Sequence, residues 1–392
     1  MLYATAFSRL LLFITLSLFI TSTACTKSPV SGKIEWERAD LKKVVYLLSF
    51  PTYESLVSPY QGTVLDSAMV DQSGSFAFNK IPGNGFYALA IQKTNEKYPN
   101  NLLNDDPNLS NYLPFMFSGK AITLTAHAGQ FQKSARWTHQ DEINAQISEL
   151  IALRYNTFNQ HLAKLEAVNE ENLIEQHRAH HEFKKALFDF ALATPHVSVA
   201  LLAMRWATPE GDFERSSDEL FAFCQKWEKQ AGANAMIAQL CSKVKTGGLS
   251  AKKGDLFPDF PLPMGDGTEK KVFSLLGTRL TIIDLWASWC GPCRIENKKV
   301  LGPICEKYHD AGLQIIGYAL DSDDRSWKNA IAKDAADRWL HASHLLGDES
   351  PLFQTLGIST IPANYLLDKE GRIVAKNLHG EELIQWIDAY LK

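Results

Sequence analysis

The sequence predicts an α/β domain in its C-terminal third, preceded by a β-sandwich-like domain and an α-helical middle region. In the C-terminal third, an apolar run at 281–286 predicts a buried strand and leads into a helical repeat at 291–308. Short alternating apolar segments occupy 30–132, and helical periodicity follows from 141 to 245. We expect an N-terminal segment, a β-rich domain, the helical region and the α/β domain at residues 1–24, 25–135, 136–246 and 254–392.

The β-rich domain is predicted from short apolar runs separated by turn residues. Gly-containing turn signals at 72–74 and 82–85 separate several of these runs. The asparagine-rich stretch from Tyr98 to Pro114 is predicted to be a loop, and no catalytic constellation is evident in this domain. The predicted strands cover 44–48, 63–65, 75–78, 86–91 and 121–125.

Five helices are predicted in the middle region, which either orients the C-terminal domain or forms a dimer contact. Ser216 and Glu219 have the spacing of a capping box. His177 and His181 lie one helical turn apart, with His180 between them, but no third ligand and no zincin motif accompany them. We therefore predict a solvated polar face and no metal site. The helices cover 142–167, 171–193, 197–206, 217–229 and 233–245, and a polar linker follows at 245–254.

The chain contains Trp-Ala-Ser-Trp-Cys-Gly-Pro-Cys at 286–293, which places Cys290 and Cys293 at the junction of the predicted strand and helix. Unsatisfied N–H groups and the helix dipole lower the pKa of a cysteine at a helix N-terminus. Cys293 lies one turn further along and can close a disulfide with Cys290. The pair is predicted to be redox-active.

Two other interpretations of the cysteine pair are weaker. A zinc site needs four ligands, and no second C-x-x-C or suitably spaced histidine pair follows this one. A purely structural disulfide between Cys290 and Cys293 closes a very short loop and constrains the unfolded chain little.

From Gly254 to Lys392 the chain resembles the thioredoxin superfamily and, within it, the membrane-tethered thiol-disulfide oxidoreductases of the TlpA and ResA type. Beyond the cysteine pair, Asp284 lies in the strand six residues before Cys290. Ile361 and Pro362 match the Ile and cis-Pro beside the thioredoxin disulfide. The remaining features are the basic and acidic residues at 294–297 and an insert at 321–356 with a helical pattern at 327–336.

The resemblance implies roles for the matched residues. Asp284 exchanges the proton of Cys293, and Ile361 and Pro362 lie against the disulfide. Burial on a strand independently predicts a raised pKa for Asp284, although a strand-end Asp also fits a helix cap. Pro362 in a trans peptide bond is the alternative to a cis bond.

Three further residues near the pair have less certain roles. Glu296 either tunes the cysteine pKa or is a solvated helix residue. We expect Trp289 to form a rim for an incoming peptide and Trp286 to belong to the core. Lys298 stands where the family often has proline, which predicts a straighter helix at this point.

The N-terminal segment resembles a bacterial lipoprotein signal. Arg9 precedes an apolar run from Leu10 to Ile20, which is too short to span a bilayer, and Ser22-Thr-Ala leads to Cys25. We predict cleavage before Cys25 and lipidation of that cysteine. The alternatives are ordinary signal cleavage and an uncleaved anchor. Thr26 favours the outer membrane by analogy with lipoprotein sorting, so the mature chain is expected to face the periplasm.

Composition fits an ordinary globular protein outside the cytoplasm. Hydrophobic residues make up 45% of the chain, and the net charge of −4 gives no indication of a nucleic-acid partner. Cys224 and Cys241 lie on adjacent predicted helices and are either bridged or two buried thiols. Cys305 is on the apolar stripe of the helix after the cysteine pair, where a core residue is expected.

Together these features predict an extracytoplasmic thiol-disulfide oxidoreductase that reduces protein disulfides and needs no cofactor. The resemblance implies oxidised envelope proteins, apocytochromes among them, as clients and a membrane electron relay as donor. One alternative is a peroxidase of the peroxiredoxin type, but Cys290 lacks the Pro-x-x-x-Thr-x-x-Cys context. The other is a non-enzymatic adaptor lipoprotein that carries a thioredoxin module.

Overall fold

A computed structural model describes residues 28–138, 141–167, 169, 171–209, 216–230, 234–246, 251–358 and 360–392. The predicted signal segment and Cys25 lie outside these residues. Among the residues described, no helix combines the length and the apolar character needed to cross a membrane.

The N-terminal part contains two four-stranded sheets, in agreement with the predicted sandwich-like domain. Their strand orders are β4-β1-β7-β8 and β3-β2-β5-β6, and only the β1 and β7 pairing within them is parallel. Apolar side chains from both sheets join one hydrophobic cluster. The strands are β1 (Val30–Glu35), β2 (Leu41–Ser49), β3 (Thr63–Met69), β4 (Ser75–Phe78), β5 (Gly85–Lys93), β6 (Tyr112–Phe117), β7 (Ile122–His127) and β8 (Arg136–Thr138).

Strand β6 shows that the loop predicted from Tyr98 to Pro114 extends too far. Its first three residues fall inside that stretch, and Pro114 lies opposite Ala88 of β5. Proline cannot donate to a strand ladder and normally argues against a strand. It is tolerated here because β6 is the edge strand of its sheet.

The middle region is helical, as predicted, but the helix predicted at 142–167 ends at His161. Its apolar residues pack in the same hydrophobic cluster as the two sheets. The predicted capping box is wrong, because Ser216 has ψ 27° and its side chain makes no cap hydrogen bond. Asp141, with ψ 170°, is extended and does cap its helix. The helices are α1 (Phe131–Ser134), α2 (Glu142–His161), α3 (Leu173–Ala193), α4 (Val197–Ala207), α5 (Ser217–Trp227) and α6 (Ala235–Thr246).

A disulfide joins Cys224 of α5 to Cys241 of α6, which decides between the two possibilities that the sequence leaves open. The two Cα atoms are 5.6 Å apart, and both residues are buried. The bond therefore ties the last two helices of the middle region together.

Removing this bond by Cys224→Ser and Cys241→Ser is expected to lower the free energy of unfolding by about 3 kcal/mol. Without the bond, the unfolded chain is no longer restricted by a closed loop and gains conformational entropy. Chemical denaturation followed by tryptophan fluorescence measures the loss. The double variant Cys290→Ser/Cys293→Ser is the matched control, since its shorter loop predicts a smaller effect. Equal unfolding midpoints for the wild type and the Cys224/Cys241 variant would contradict the expectation.

The C-terminal part is an α/β domain built on a five-stranded sheet. The strand order is β13-β12-β11-β14-β15, in which β11, β12 and β13 are parallel and β14 and β15 are antiparallel to their neighbours. All seven residues of the central strand β11 are buried. The strands are β11 (Leu280–Trp286), β12 (Leu313–Ala319), β13 (Leu340–Ala342), β14 (Ala363–Asp368) and β15 (Ile373–Lys376), preceded by the hairpin β9 (Pro261–Pro263) and β10 (Glu269–Lys271).

The helix after the cysteine pair is not regular, contrary to the prediction. A π-helical segment, Asn297–Leu301, separates α7 (Gly291–Glu296) from α8 (Gly302–Tyr308), and the Gly302 N–H donates to the Asn297 carbonyl. Pro303 cannot donate to the carbonyl four residues before it, and its ring crowds that carbonyl. The helix is therefore irregular even though position 298 is lysine and not proline. The remaining helices are α9 (Asp324–Lys333), α10 (Pro351–Leu356) and α11 (Gly380–Leu391).

Candidate active site

Cys290 and Cys293 form a disulfide at the N-terminus of α7, immediately beyond the end of β11. Cys290 is the N-cap residue, and its Sγ accepts the Cys293 N–H at 3.2 Å. The two residues are 6% and 2% exposed. The sulfur of Cys290 therefore lies where a backbone donor and the helix dipole both favour a negative charge.

The loop that carries the cysteines is anchored to the end of β12 by Asp321. Asp321 is buried, and its carboxylate accepts the Ser288 N–H at 3.0 Å and also the Ser288 hydroxyl. This contact fixes the backbone two residues before Cys290. The sequence identifies Asp321 only as the start of the insert.

Arg294 joins the active-site helix to the insert. Its guanidinium donates to both carboxylate oxygens of Asp334, with one distance of 2.7 Å, and to the Ser288 carbonyl at 3.1 Å. Asp334 is buried and follows α9 directly. The insert therefore supports the helix that presents the cysteines.

Asp284 lies in the middle of β11, where it is opposite Gly317 of β12 and Asn364 of β14. It is 3% exposed. Burial first, and the negative charge of Glu296 second, raise the pKa of Asp284 well above its usual value. A carboxyl group with a raised pKa is suited to accept and return a proton near neutral pH.

Glu296, at the end of α7, is buried, so its interpretation as a solvated helix residue is wrong. Its two carboxylate oxygens lie 3.0 and 3.1 Å from the Nδ1 atom of His379, and it accepts the Gly380 N–H at 3.2 Å. Burial alone raises the pKa of Glu296, but His379, His177 and the Gly380 N–H together hold it below its usual value. Glu296 thus supplies a negative charge beneath the active site.

The structure gives the peptide geometry and the burial of the remaining predicted residues. The Ile361-Pro362 peptide bond is cis, and Ile361 packs against the hydrophobic cluster that includes both cysteines. Trp289 is 65% exposed, whereas Trp286 is fully buried in the core.

Sequence reasoning missed the contribution of His379 and misjudged His177. His379 precedes α11 and is 83 residues from its partner Glu296. The His177 ring is half-buried, with its centroid 5.1 Å from that of His379, and so is not on a solvated face. No spacing in the sequence links these two residues. As expected, Cys305 is a buried free thiol in the core.

Comparisons with known proteins concern this C-terminal part. Residues 252–386 match the redoxin family. The chain is 25% identical over 135 residues to the thiol-disulfide oxidoreductase ResA of Bacillus thuringiensis (strain Al Hakam), which covers 34% of this chain and 74% of that protein. It is 26% identical over 141 residues to the thiol:disulfide interchange protein DsbE of Pseudomonas fluorescens biotype C, with 34% and 71% covered.

Among solved structures, the C-terminal domain of a Bacteroides thetaiotaomicron thiol-disulfide oxidoreductase shares 32% identity. It covers 36% of this chain and 97% of that chain, with a TM-score of 0.34. The redoxin match covers the stretch that holds both cysteines and the cis Ile361-Pro362 bond. The C-terminal part of this chain is therefore a thioredoxin-like domain that matches the redoxin family and is similar to the thiol-disulfide oxidoreductases named ResA and DsbE.

Proposed function

We propose that this protein is an extracytoplasmic reductase of protein disulfides that works through the Cys290/Cys293 dithiol. The observation that carries the proposal is the position of Cys290 as the N-cap of α7, with its Sγ facing the Cys293 N–H. In the reduced protein, this donor and the helix dipole favour the Cys290 thiolate, which is the form that attacks a disulfide.

The reaction proceeds through two exchanges of sulfur bonds. The Cys290 thiolate attacks a substrate disulfide, forms a mixed disulfide and releases one substrate thiolate. Cys293 then loses its proton to Asp284 and attacks Cys290, which releases the second substrate thiolate. The substrate gains two electrons and the protein becomes the Cys290–Cys293 disulfide, as seen in the structure. An external dithiol must then reduce the protein again.

The reducing direction is tested by the redox potential of the pair. A Gly-Pro between the cysteines and Ile361 before the cis-proline resemble reducing thioredoxins. We expect equilibration with a thiol buffer to give a potential near the thioredoxin value of about −270 mV. A potential near that of a strong oxidant, about −120 mV, would overturn the reductase assignment.

Trp289 is proposed to contact the polypeptide around the substrate disulfide, together with Ile361 and Pro362. The Trp289 indole is 65% exposed although it directly precedes the buried Cys290. Aromatic side chains at such positions supply apolar contact area to a partner. The Ile361-Pro362 bond is cis, and Pro362, like any proline, has no backbone N–H to compete at this surface.

Trp289→Ala is expected to lower kcat/KM for insulin reduction by about tenfold, since an aromatic contact of this kind contributes on the order of 1 to 2 kcal/mol to binding. Reduction of a small aromatic disulfide is expected to change less, because it does not reach the rim. Met69→Ala, an exposed apolar residue of the N-terminal domain, is the control. An equal loss of kcat/KM for insulin and for the small disulfide would show that Trp289 affects the reactivity of the cysteines instead of substrate binding.

The clients are proposed to be oxidised envelope proteins, apocytochromes among them, and the electron donor a membrane electron relay. Both proposals come from the resemblance to the TlpA and ResA type. Among the residues that the structure describes, the exposed Trp289 is the feature that fits a polypeptide partner. No nucleic-acid partner is proposed for a chain with a net charge of −4.

The envelope location is proposed from lipidation of Cys25, with the chain on the periplasmic side of the outer membrane. Cys25→Ala is expected to prevent lipid attachment and to release the protein from the membrane fraction. Labelling of cells with a radioactive fatty acid and fractionation of the envelope measure both effects. Cys305→Ala, which changes a buried thiol of the C-terminal domain, should remain labelled. A Cys25→Ala protein that is still labelled would contradict this localisation.

A further inference from the structure

Three side chains from distant parts of the sequence meet behind the active-site helix, and we call them the His–Glu–His cluster: His177, Glu296 and His379. His177 is on α3 of the middle region, Glu296 ends α7, and His379 precedes α11. One ligand atom from each residue, an imidazole nitrogen or a carboxylate oxygen, lies within 4.8 Å of the other two. The cluster is therefore shared between the helical region and the C-terminal domain.

The cluster has the chemistry of a metal site. Two imidazoles and one carboxylate are the donor groups that Zn²⁺ and neighbouring first-row cations prefer. Glu296 is 1% exposed, and the Gly380 N–H at 3.2 Å orients one of its oxygens. Such outer-shell hydrogen bonds are typical of metal ligands.

The spacing of the donor atoms also suits a cation. Ligand atoms around tetrahedral Zn²⁺ lie about 3.3 Å apart, because each Zn²⁺ bond is about 2.0 to 2.1 Å long. The Nδ1 atom of His379 is already 3.0 and 3.1 Å from the two carboxylate oxygens. The ring centroid of His177 lies 5.1 Å from that of His379. A ligand atom of His177 lies within 4.8 Å of the other two, so the three donor groups are close enough to share one cation after side-chain adjustment.

We propose that the His–Glu–His cluster binds one divalent first-row transition cation of the Zn²⁺ class, with the fourth coordination position left to water. The competing explanation is a buried ion pair between Glu296 and His379 alone. In that explanation His177 only adds its electrostatic effect on Glu296 and is not a ligand. A metal site requires His177, so the two explanations differ in a measurable way.

A cation at this site would act on the redox centre, a consequence that rests on the proposed function. The charge of Glu296 contributes to the raised pKa of Asp284. A bound cation would offset part of the Glu296 charge that Asp284 faces. Because α3 supplies His177, the contact between the helical region and the C-terminal domain would influence the same group.

The test is titration of the oxidised, chelator-treated full chain with ZnCl₂ by isothermal titration calorimetry. With Cys290 and Cys293 bridged, the thiols of the pair cannot bind the metal. We expect one equivalent to bind to the wild type. His177→Ala and His379→Gln should each weaken binding at least tenfold, on the scale of lost metal-site contacts. Circular dichroism should show that both variants remain folded.

Two controls separate the cluster from adventitious binding. His309→Ala changes an exposed histidine of the C-terminal domain, and His127→Ala disrupts the exposed Glu35, Glu37 and His127 group. Both variants should still bind one equivalent of Zn²⁺ with the affinity of the wild type. No binding to the wild type, or binding that survives His177→Ala, would overturn the proposal and leave an ion pair only. Since the readout is binding to the oxidised protein, failure here is distinguishable from failure of the reductase function.

Discussion

Replacing Cys290 by serine is expected to reduce the rate of insulin disulfide reduction to the uncatalysed level. Serine cannot form a sulfur–sulfur bond, so the first exchange has no nucleophile. Turbidity of the precipitating insulin chains, with dithiothreitol as the final reductant, measures the rate. Cys305→Ser, which changes a buried thiol of the C-terminal domain core, is the matched control and should retain catalysis.

The outcome for Cys290→Ser also distinguishes the enzyme from the adaptor hypothesis. An adaptor that merely carries a thioredoxin module requires no sulfur chemistry, so its activity in cells would survive the substitution. Wild-type protein that does not accelerate insulin reduction, together with an unchanged cellular phenotype for Cys290→Ser, would contradict the proposed function.

Asp284→Asn is expected to slow the second exchange by about a hundredfold, within the range that general acid–base groups contribute. Asparagine cannot accept the proton of Cys293, so the mixed disulfide persists longer. In the wild type, Asp284 must be deprotonated to act, and its pKa is raised. The rate should therefore fall as the pH decreases through that raised pKa. Stopped-flow measurement of mixed-disulfide decay should show this dependence in the wild type and not in Asp284→Asn.

The same substitution should stabilise the fold at neutral pH. The pKa of Asp284 is higher in the folded protein than its usual value of 3.8, so the folded state holds this proton more tightly than the unfolded chain. Wild-type stability is then lost as the pH rises from the Asp284 pKa of the unfolded chain through the Asp284 pKa of the folded protein. Asp284→Asn avoids that loss. Its higher Tm relative to the wild type should disappear at pH values below the pKa of the unfolded chain.

Asp321→Asn provides the contrast for this stability prediction. Asp321 is as buried as Asp284, but its carboxylate accepts hydrogen bonds from Ser288. Removing that charge is expected to lower the Tm, because charge-assisted hydrogen bonds are lost. If both variants lower the Tm at neutral pH, the charge of Asp284 is not an energetic cost, and its assignment as the proton acceptor loses its physical basis.

The local features of the active site could be predicted from the sequence because they depend on neighbouring residues. A buried strand that ends at Trp286, followed by Cys290 and a helical repeat, determines where the first sulfur lies. The helices of the middle region were located for the same reason, since apolar periodicity is a local pattern. Departures occur where a single residue overrides the pattern, as Pro303 does in the active-site helix.

Other features depend on tertiary contacts that no spacing reveals. Glu296 lies in a buried contact with His379, which is more than eighty residues later in the sequence. The disulfide between Cys224 and Cys241 depends on how two helices pack, which the sequence leaves undetermined. Strand β6 escaped prediction because its proline is acceptable only at a sheet edge, and edge positions are defined by the whole sheet.

Trapping of the mixed disulfide tests the central claim, attack by Cys290 on a substrate disulfide, most directly. The Cys293→Ser protein, reduced and then incubated with oxidised envelope proteins, cannot complete the second exchange. We predict covalent complexes that mass spectrometry locates at Cys290 and that dithiothreitol separates by reduction. The Cys290→Ser/Cys293→Ser protein should not form them. If Cys293→Ser yields no such complexes, or if they form equally without Cys290, the assignment of this pair as a disulfide-reducing centre is contradicted.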